Sequence, residues 1–269
     1  MFVVPFIVPH SELALPKAVA IVRHISGTQQ FFCSGVPLTE RVILTAAHCV
    51  HRSLSTTNAS AAGDITLRKP NDPSSQFKVL RILIHPDYDA KGPSAKQEDF
   101  DLALVESESL LTKGAIESSA SRDFEPPNHF PNTEFWLAGF SPVRLGSNDP
   151  NHLTKSPTAW APLKIKHLIA QEGKFLARAV ETNSAAACAG DSGAPVWQFK
   201  QEQSALIGIV VQGNCLKGDA KIVNLKKYAA WIDEASERLN AIHQVAWATW
   251  KNVLWRQAEA ARMVHRDRE

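Results

Sequence analysis

The chain has 269 residues, 44% of them hydrophobic and 21% charged, a composition that fits one large all-β or α/β globular domain or two smaller lobes. A net charge of +2 and a pI near 8.3 argue against the strongly basic balance that nucleic-acid binding draws on. No apolar run reaches the ~18 residues of a membrane span.

The opening "MFVVPFIVPHSE" is apolar, but prolines interrupt it, no basic region precedes it and no small-residue cleavage site follows; it is not read as an intact signal peptide. Short apolar runs follow in chain order: "KAVAIVRHI", "RVILTAAHC", "DITLRK", "FKVLRILIH", "FDLALVE", "EFWLAGF", "PLKIKHL", "KFLARAVET", "APVWQF" and "SALIGIVVQG". They are rich in Val, Ile, Leu and Phe and are punctuated by Gly, Pro, Asn, Asp and Ser, which predicts strands. Many short strands without helices between them predict a sandwich or barrel, and this many predict two. The polar stretch from Ser118 to Thr133 reads as a linker between the halves, and Arg144 to Thr158 as a second loop. Asn58-Ala59-Ser60 fits an N-glycosylation triplet, which matters only in a secreted eukaryotic protein. No internal repeat is visible.

From residue 227 the pattern changes. Ile232, Ala235, Leu239, Ile242, Ala246, Thr249 and Val253 step by three and four, which predicts one helix running to the end of the chain. Trp247, Trp250 and Leu254 form an adjoining stripe. A helix packed on the body of the protein is the plainer expectation; a partner-binding or membrane-surface helix is the sharper one. The expected organisation is therefore an N-terminal β unit over 1–120, a second over 121–226 and a helical extension over 227–269.

Cys33, Cys49, Cys188 and Cys215 fall into two local pairs. Their count and spacing leave two disulfides and four reduced thiols both open. No Cys-x-x-Cys or His-x-x-x-His spacing accompanies them, so no metal site is expected.

A serine hydroxyl attacks a carbonyl only with a base to take its proton, a group to orient that base and donors for the oxyanion. "LTAAHC" offers His48, "DFDLALVE" offers Asp101 and "AGDSGAP" offers Ser192. The order His, Asp, Ser excludes the α/β-hydrolase order, and Ala194 stands where Gly-x-Ser-x-Gly needs its second glycine. Singly, each residue has a structural reading: a histidine after a strand, an aspartate at a turn. Together with "FFCSG", "LTAAHCV", "DLALV", "CAGDSGAPV", "LIGIVVQGNC" and "YAAWI", they make the chain resemble the chymotrypsin/trypsin-like serine endopeptidases over about residues 7 to 232.

The resemblance implies two six-stranded antiparallel β-barrels with the site in the cleft between them. It implies hydrolysis of a protein or peptide substrate through an acyl-enzyme, without metal or organic cofactor, and a secreted or periplasmic location. Ser192 would be the nucleophile, His48 the base, Asp101 its orienter, and the N–H groups of Gly190 and Ser192 the oxyanion hole. Cys33 would pair with Cys49, and Cys188 with Cys215. Asp191 would meet a new α-amino group at Ile7 after cleavage; here Phe6 stands where the family has a basic residue, and Pro9 and His10 where it has glycines. Ala186, six positions before Ser192, would floor the specificity pocket, with Val211, Gln212, Gly213 and Ala220 as its walls. Without an acid at Ala186 the expectation is cleavage after small or medium apolar residues. The alternative is a non-catalytic binding protein on the same fold.

Overall fold

Apolar runs become strands when their alternate side chains share an interior. In the structure, a computed structural model that describes residues 18–25, 28–51, 64–69, 72–90, 99–109, 111, 134–139, 161–171, 174–179, 187–188, 190–200, 203–214 and 219–241, such interiors are two closed barrels. The first comprises β1 (Val19–Ile25), β2 (Thr28–Pro37), β3 (Val42–Thr45), β4 (Ile65–Lys69), β5 (Asp72–Ile84) and β6 (Ala103–Ser107). The second comprises β7 (Glu134–Gly139), β8 (Ala161–Gln171), β9 (Lys174–Ala179), β10 (Pro195–Lys200), β11 (Gln203–Asn214) and β12 (Asp219–Asn224). Every strand pairing is antiparallel. The spatial order is β1-β2-β3-β6-β5-β4 in one and β7-β8-β9-β12-β11-β10 in the other. The two orders are the same when each barrel is counted from its own first strand, although the sequence shows no repeat. Closure leaves neither barrel with an open edge.

Each barrel fills its interior from its own strands. Ile21, Leu44, Leu67 and Leu104 are fully buried in the first; Phe135, Leu137, Val196, Val210 and Ile222 form the core of the second. The central strand β3, "VILT", is buried at every position, and so is β6. Leu104 of β6 lies between Leu44 and Leu83 in register, three residues after Asp101.

Two strands carry no clear apolar signal and escape the sequence reading. β2 begins with the polar Thr-Gln-Gln, and β12, "DAKIVN", is short and opens on a charge. Conversely, the run "RVILTAAHC" is not one strand: it turns after Thr45 into a single helical turn, α1 (Ala47–Val50). The stretches 118–133 and 144–158 lie outside the described residues.

The chain divides into two compact units, Met1–Ala229 and Ala230–Glu269. The second unit is helical over 230–241, continuing from residue 229, and Ala235 and Leu239 are buried while Glu234, Glu237 and Arg238 are exposed. That is the expected amphipathic face; Ile242 and the positions beyond it, including Trp247, Trp250 and Leu254, lie outside the described residues. Among the described residues no helix is long and apolar enough to cross a membrane.

Because β6 is buried throughout and leads directly from Asp101, its packing holds the site. Leu104→Ala is expected to lower the free energy of unfolding by about 2–5 kcal/mol, the usual cost of truncating a buried leucine, as read from urea denaturation.

Candidate active site

The histidine is presented by α1. Its cap residue Ala46 offers no side-chain hydrogen bond, so the first N–H groups of the turn need partners from elsewhere. Asp101, in the segment just before β6, supplies one. Its Oδ1 accepts the backbone N–H of His48 at 2.8 Å, and its Oδ2 lies 2.6 Å from His48 Nδ1. A carboxylate only accepts at neutral pH, so the ring proton belongs on Nδ1 and Nε2 is left as the acceptor. The Asp101 side chain is 6% exposed and the His48 side chain 34%: a buried carboxylate behind an accessible imidazole. At the other end of α1, Arg23 donates to the Cys49 carbonyl at 3.2 Å.

The segment "CAGDSGA" consists of two consecutive turns. Asp191 N–H donates to the Cys188 carbonyl at 3.0 Å, and Ala194 N–H donates to the Asp191 carbonyl at 2.9 Å. Each closes a four-residue turn whose third position is a glycine with positive φ: Gly190 at 102° and Gly193 at 82°. Residues with a Cβ rarely adopt that conformation, which is why glycine stands on both sides of Asp191-Ser192. Asp191 is buried, and its Oδ2 accepts the Cys188 N–H at 2.9 Å across the first turn. A side chain at Gly139, the last residue of β7, would collide with that carboxylate. Reciprocal bonds tie the second turn to β11: Gly193 N–H to the Val210 carbonyl at 2.7 Å and Val210 N–H to the Ala194 carbonyl at 2.9 Å.

The serine turn of the second barrel meets the first barrel directly. Ser34 of β2 donates its backbone N–H to the Ser192 carbonyl at 2.7 Å and its hydroxyl to the Gly190 carbonyl at 2.8 Å. Thr45 of β3 in turn donates to the Ser34 carbonyl at 2.8 Å. A Cβ on Gly193 would overlap both the Ser34 carbonyl oxygen and the Thr45 hydroxyl. The Cys33–Cys49 disulfide runs alongside, with Cys49 Sγ 3.7 Å from His48 Nε2 and 3.8 Å from the Ser192 carbonyl oxygen. His48 Nε2 and the Ser192 carbonyl oxygen thus both lie within 4 Å of the Cys49 sulfur. Cys33, His48 and Cys49 also form the one grouping among the described residues with metal-ligand atoms within 4.8 Å of each other. Its two sulfurs are bonded to one another, which removes the thiolates a metal would need.

Of the other site residues expected from the sequence, Val211, Gln212 and Gly213 lie on β11, and Gly213 pairs with Ala220 of β12. Register slips between Val210 and Gln212, so Val211 occupies a bulge, a device that re-aims side chains. Val211 and Ala220 are buried and Gln212 is exposed. Gly213 packs so closely on the Ala187–Cys188 backbone that a Cβ would meet Cys188 N at 2.9 Å. Cys188 is disulfide-bonded. Cys215, Ala186 and Ile7 lie outside the described residues.

The sequence reading missed what holds Asp101. His85 N–H donates to the Leu102 carbonyl at 2.9 Å, and the Tyr228 hydroxyl donates to the Asp99 carbonyl, so the segment is gripped on both sides of Asp101. The rings close on one another: Phe100 stacks on His85 at 5.1 Å, and Tyr228 meets both edge-on. Lys227 Nζ lies 5.7 Å from the Phe100 ring centre. Burial, reinforced by Asp99 and Asp87, pushes the Tyr228 phenol up to about 12, which keeps it a donor at any working pH. "YAAWI" carried the family resemblance but not this role of Tyr228, because an aromatic residue near a strand end ordinarily reads as core.

Comparison with known proteins agrees with this architecture. The Trypsin family model matches residues 14–232. The chain belongs to the trypsin-like serine protease family. It is 28% identical to urokinase-type plasminogen activator of Gallus gallus, over 84% of this chain and 55% of that protein. It is 26% identical to coagulation factor XI of Bos taurus, over 81% and 35%, and 27% identical to serine protease Hayan of Drosophila melanogaster, over 48% and 20%. The chain thus spans a fifth to just over half of the length of these relatives.

Within this trypsin-like frame the Asp101 segment is expected to respond to pH through His85. Burial lowers the His85 pKa, with Asp87 partly opposing, and Nδ1 accepts the Asp87 N–H at 3.2 Å, a bond only the neutral ring can take. Phe100 and Tyr228 pack against its ring, and Lys227 lies against those two rings in turn. A lowered histidine pKa contributes stability above the unfolded value of about 6.5, and that contribution is lost as pH falls through the folded value. The melting temperature is expected to drop as pH is lowered from 7 toward 5, and His85→Gln to flatten that part of the profile. An NMR titration should find the His85 imidazole below its usual pKa; a normal or raised value would contradict this.

Proposed function

We propose that the chain is a serine endopeptidase that cleaves peptide bonds through an acyl-enzyme. The observation that carries this reading is the 2.6 Å His48 Nδ1–Asp101 Oδ2 contact, made beside the double turn that presents Ser192. Ser192 Oγ attacks the scissile carbonyl while His48 Nε2 takes its proton. Asp101 holds the ring tautomer and stabilises the imidazolium. The N–H groups of Gly190 and Ser192 stabilise the oxyanion. His48 then returns the proton to the leaving amine, and water releases the acyl group by the same steps in reverse.

In this reading Ala186 floors the specificity pocket, and Val211, Gln212, Gly213 and Ala220 wall it. The absence of an acid at Ala186 argues against Arg or Lys, and Ala220 in place of a pocket glycine narrows an apolar pocket, which supports a preference for small or medium apolar residues. Activation proceeds by cleavage before Ile7, whose new amine meets the buried Asp191. The barrels over 1–120 and 121–226 act as the two halves of the enzyme, and 227–269 as a helical extension. The disulfides fit an oxidising compartment, secreted or periplasmic, and Cys188–Cys215 is the second of them.

Intact-mass labelling with a fluorophosphonate tests this. One adduct is expected per chain, on the full chain or on a form beginning at Ile7, and none on Ser192→Ala. Asp101→Asn should lower kcat by about 10⁴-fold, through loss of the correct tautomer. No labelling of either form would favour the binding-protein reading.

A further inference from the structure

The proposed chemistry uses two backbone donors in a stretch containing glycines, the residues with the softest dihedrals. Gly190 N–H can serve an oxyanion only if the peptides around it stay put. The following peptide is held at both ends. Its N–H, from Asp191, donates to the Cys188 carbonyl at 3.0 Å, and its C=O, from Gly190, accepts the Ser34 hydroxyl at 2.8 Å. The first bond is local to the turn; the second comes from the other barrel, 156 positions away in sequence.

Ser34 is fitted to that task. It is 0% exposed, as is Thr45, whose hydroxyl fixes the Ser34 carbonyl. The Ser34 backbone N–H holds the Ser192 carbonyl at 2.7 Å. One residue thus grips the turn on both sides of Asp191: through its side chain before, and through its main chain after. The main-chain bond needs no particular residue at 34, but the bond to Gly190 needs a hydroxyl.

We propose that Ser34 is a positioning residue for the oxyanion hole, its hydroxyl locking the Gly190–Asp191 peptide from the first barrel so that the Gly190 N–H stays aimed at the reacting oxygen. The inference rests on the serine-protease reading above. Removing the hydroxyl leaves the buried Gly190 carbonyl without this donor and lets the peptide rotate to find another. The hold on the Ser192 carbonyl survives, because it comes from the Ser34 main chain, and His48 and Asp101 make their contacts elsewhere.

The test uses whichever form, full chain or Ile7-initiated, the fluorophosphonate labels. Wild type and Ser34→Ala are compared on a 4-nitrophenyl ester and on the matching thionoester, well below the melting temperature. A thiocarbonyl sulfur is larger and a weaker acceptor than oxygen, so thionoester turnover draws little on the hole. Loss of a whole donor costs about 10²–10³ in kcat, so a misaimed one should cost roughly tenfold on the ester with KM nearly unchanged. Thionoester turnover should change little, so the ester-to-thionoester ratio narrows by about tenfold. Equal losses on both substrates, or no loss, would overturn the proposal and leave the protease reading intact. A wild type inert to ester and fluorophosphonate alike would overturn both. If Ser34→Ala does not fold, Thr45→Val, which frees the Ser34 carbonyl while keeping the shape, should narrow the same ratio; an unchanged ratio there overturns the proposal.

Discussion

The site depends on how closely two barrels approach at Gly193. No Cβ fits between that residue, the Ser34 carbonyl and the Thr45 hydroxyl. Two polar backbones pressed together in a dry interior must satisfy each other. They do so through the bond from Ser34 N–H to the Ser192 carbonyl and through the bonds that tie the serine turn to β11. The contact therefore sets both the spacing of the barrels and the orientation of the loop that carries Ser192.

A second constraint comes from the first barrel alone. Asp101 uses one carboxylate oxygen to complete the start of α1 and the other to orient the imidazole. Local folding and site geometry are thus one interaction, which explains why a single helical turn without a side-chain cap is stable there. The turn is also stapled by Cys33–Cys49 and held by Arg23. Asp101 in turn is fixed through its neighbours, by His85 on one side and Tyr228 on the other. Tyr228 follows β12, so the second barrel reaches back to steady the aspartate of the first, as Ser34 reaches across to steady the serine turn of the second.

Much of this was legible in the residues. The apolar runs containing "VILT" and "LALVE" announced β3 and β6. The shared family segments led to the barrel architecture and the Cys33–Cys49 bond. Other features were silent. β2 hides because its first residues are polar and its buried positions include Cys33 and Ser34 rather than an apolar alternation. The helical turn at Ala47 hides inside a run that reads as strand, because its stabilising partner, Asp101, is remote in sequence. The common strand order of the barrels also leaves no trace, since packing constrains the pattern of burial and not the identity of each side chain. Ser34 and His85 act through contacts far along the chain, which no local pattern encodes.

The central claim is that the double turn and the His48–Asp101 pair together form a site in which Ser192 attacks a carbonyl whose oxygen is received by Gly190 and Ser192. The most direct measurement is a crystal structure of the Ile7-initiated form with a peptidyl boronate bearing a small apolar side chain. The account predicts boron bonded to Ser192 Oγ, with one boronate oxygen about 2.7–3.1 Å from the N–H nitrogens of Gly190 and Ser192. Boron bonded elsewhere, or an adduct whose oxygens both point away from those two groups, would contradict it.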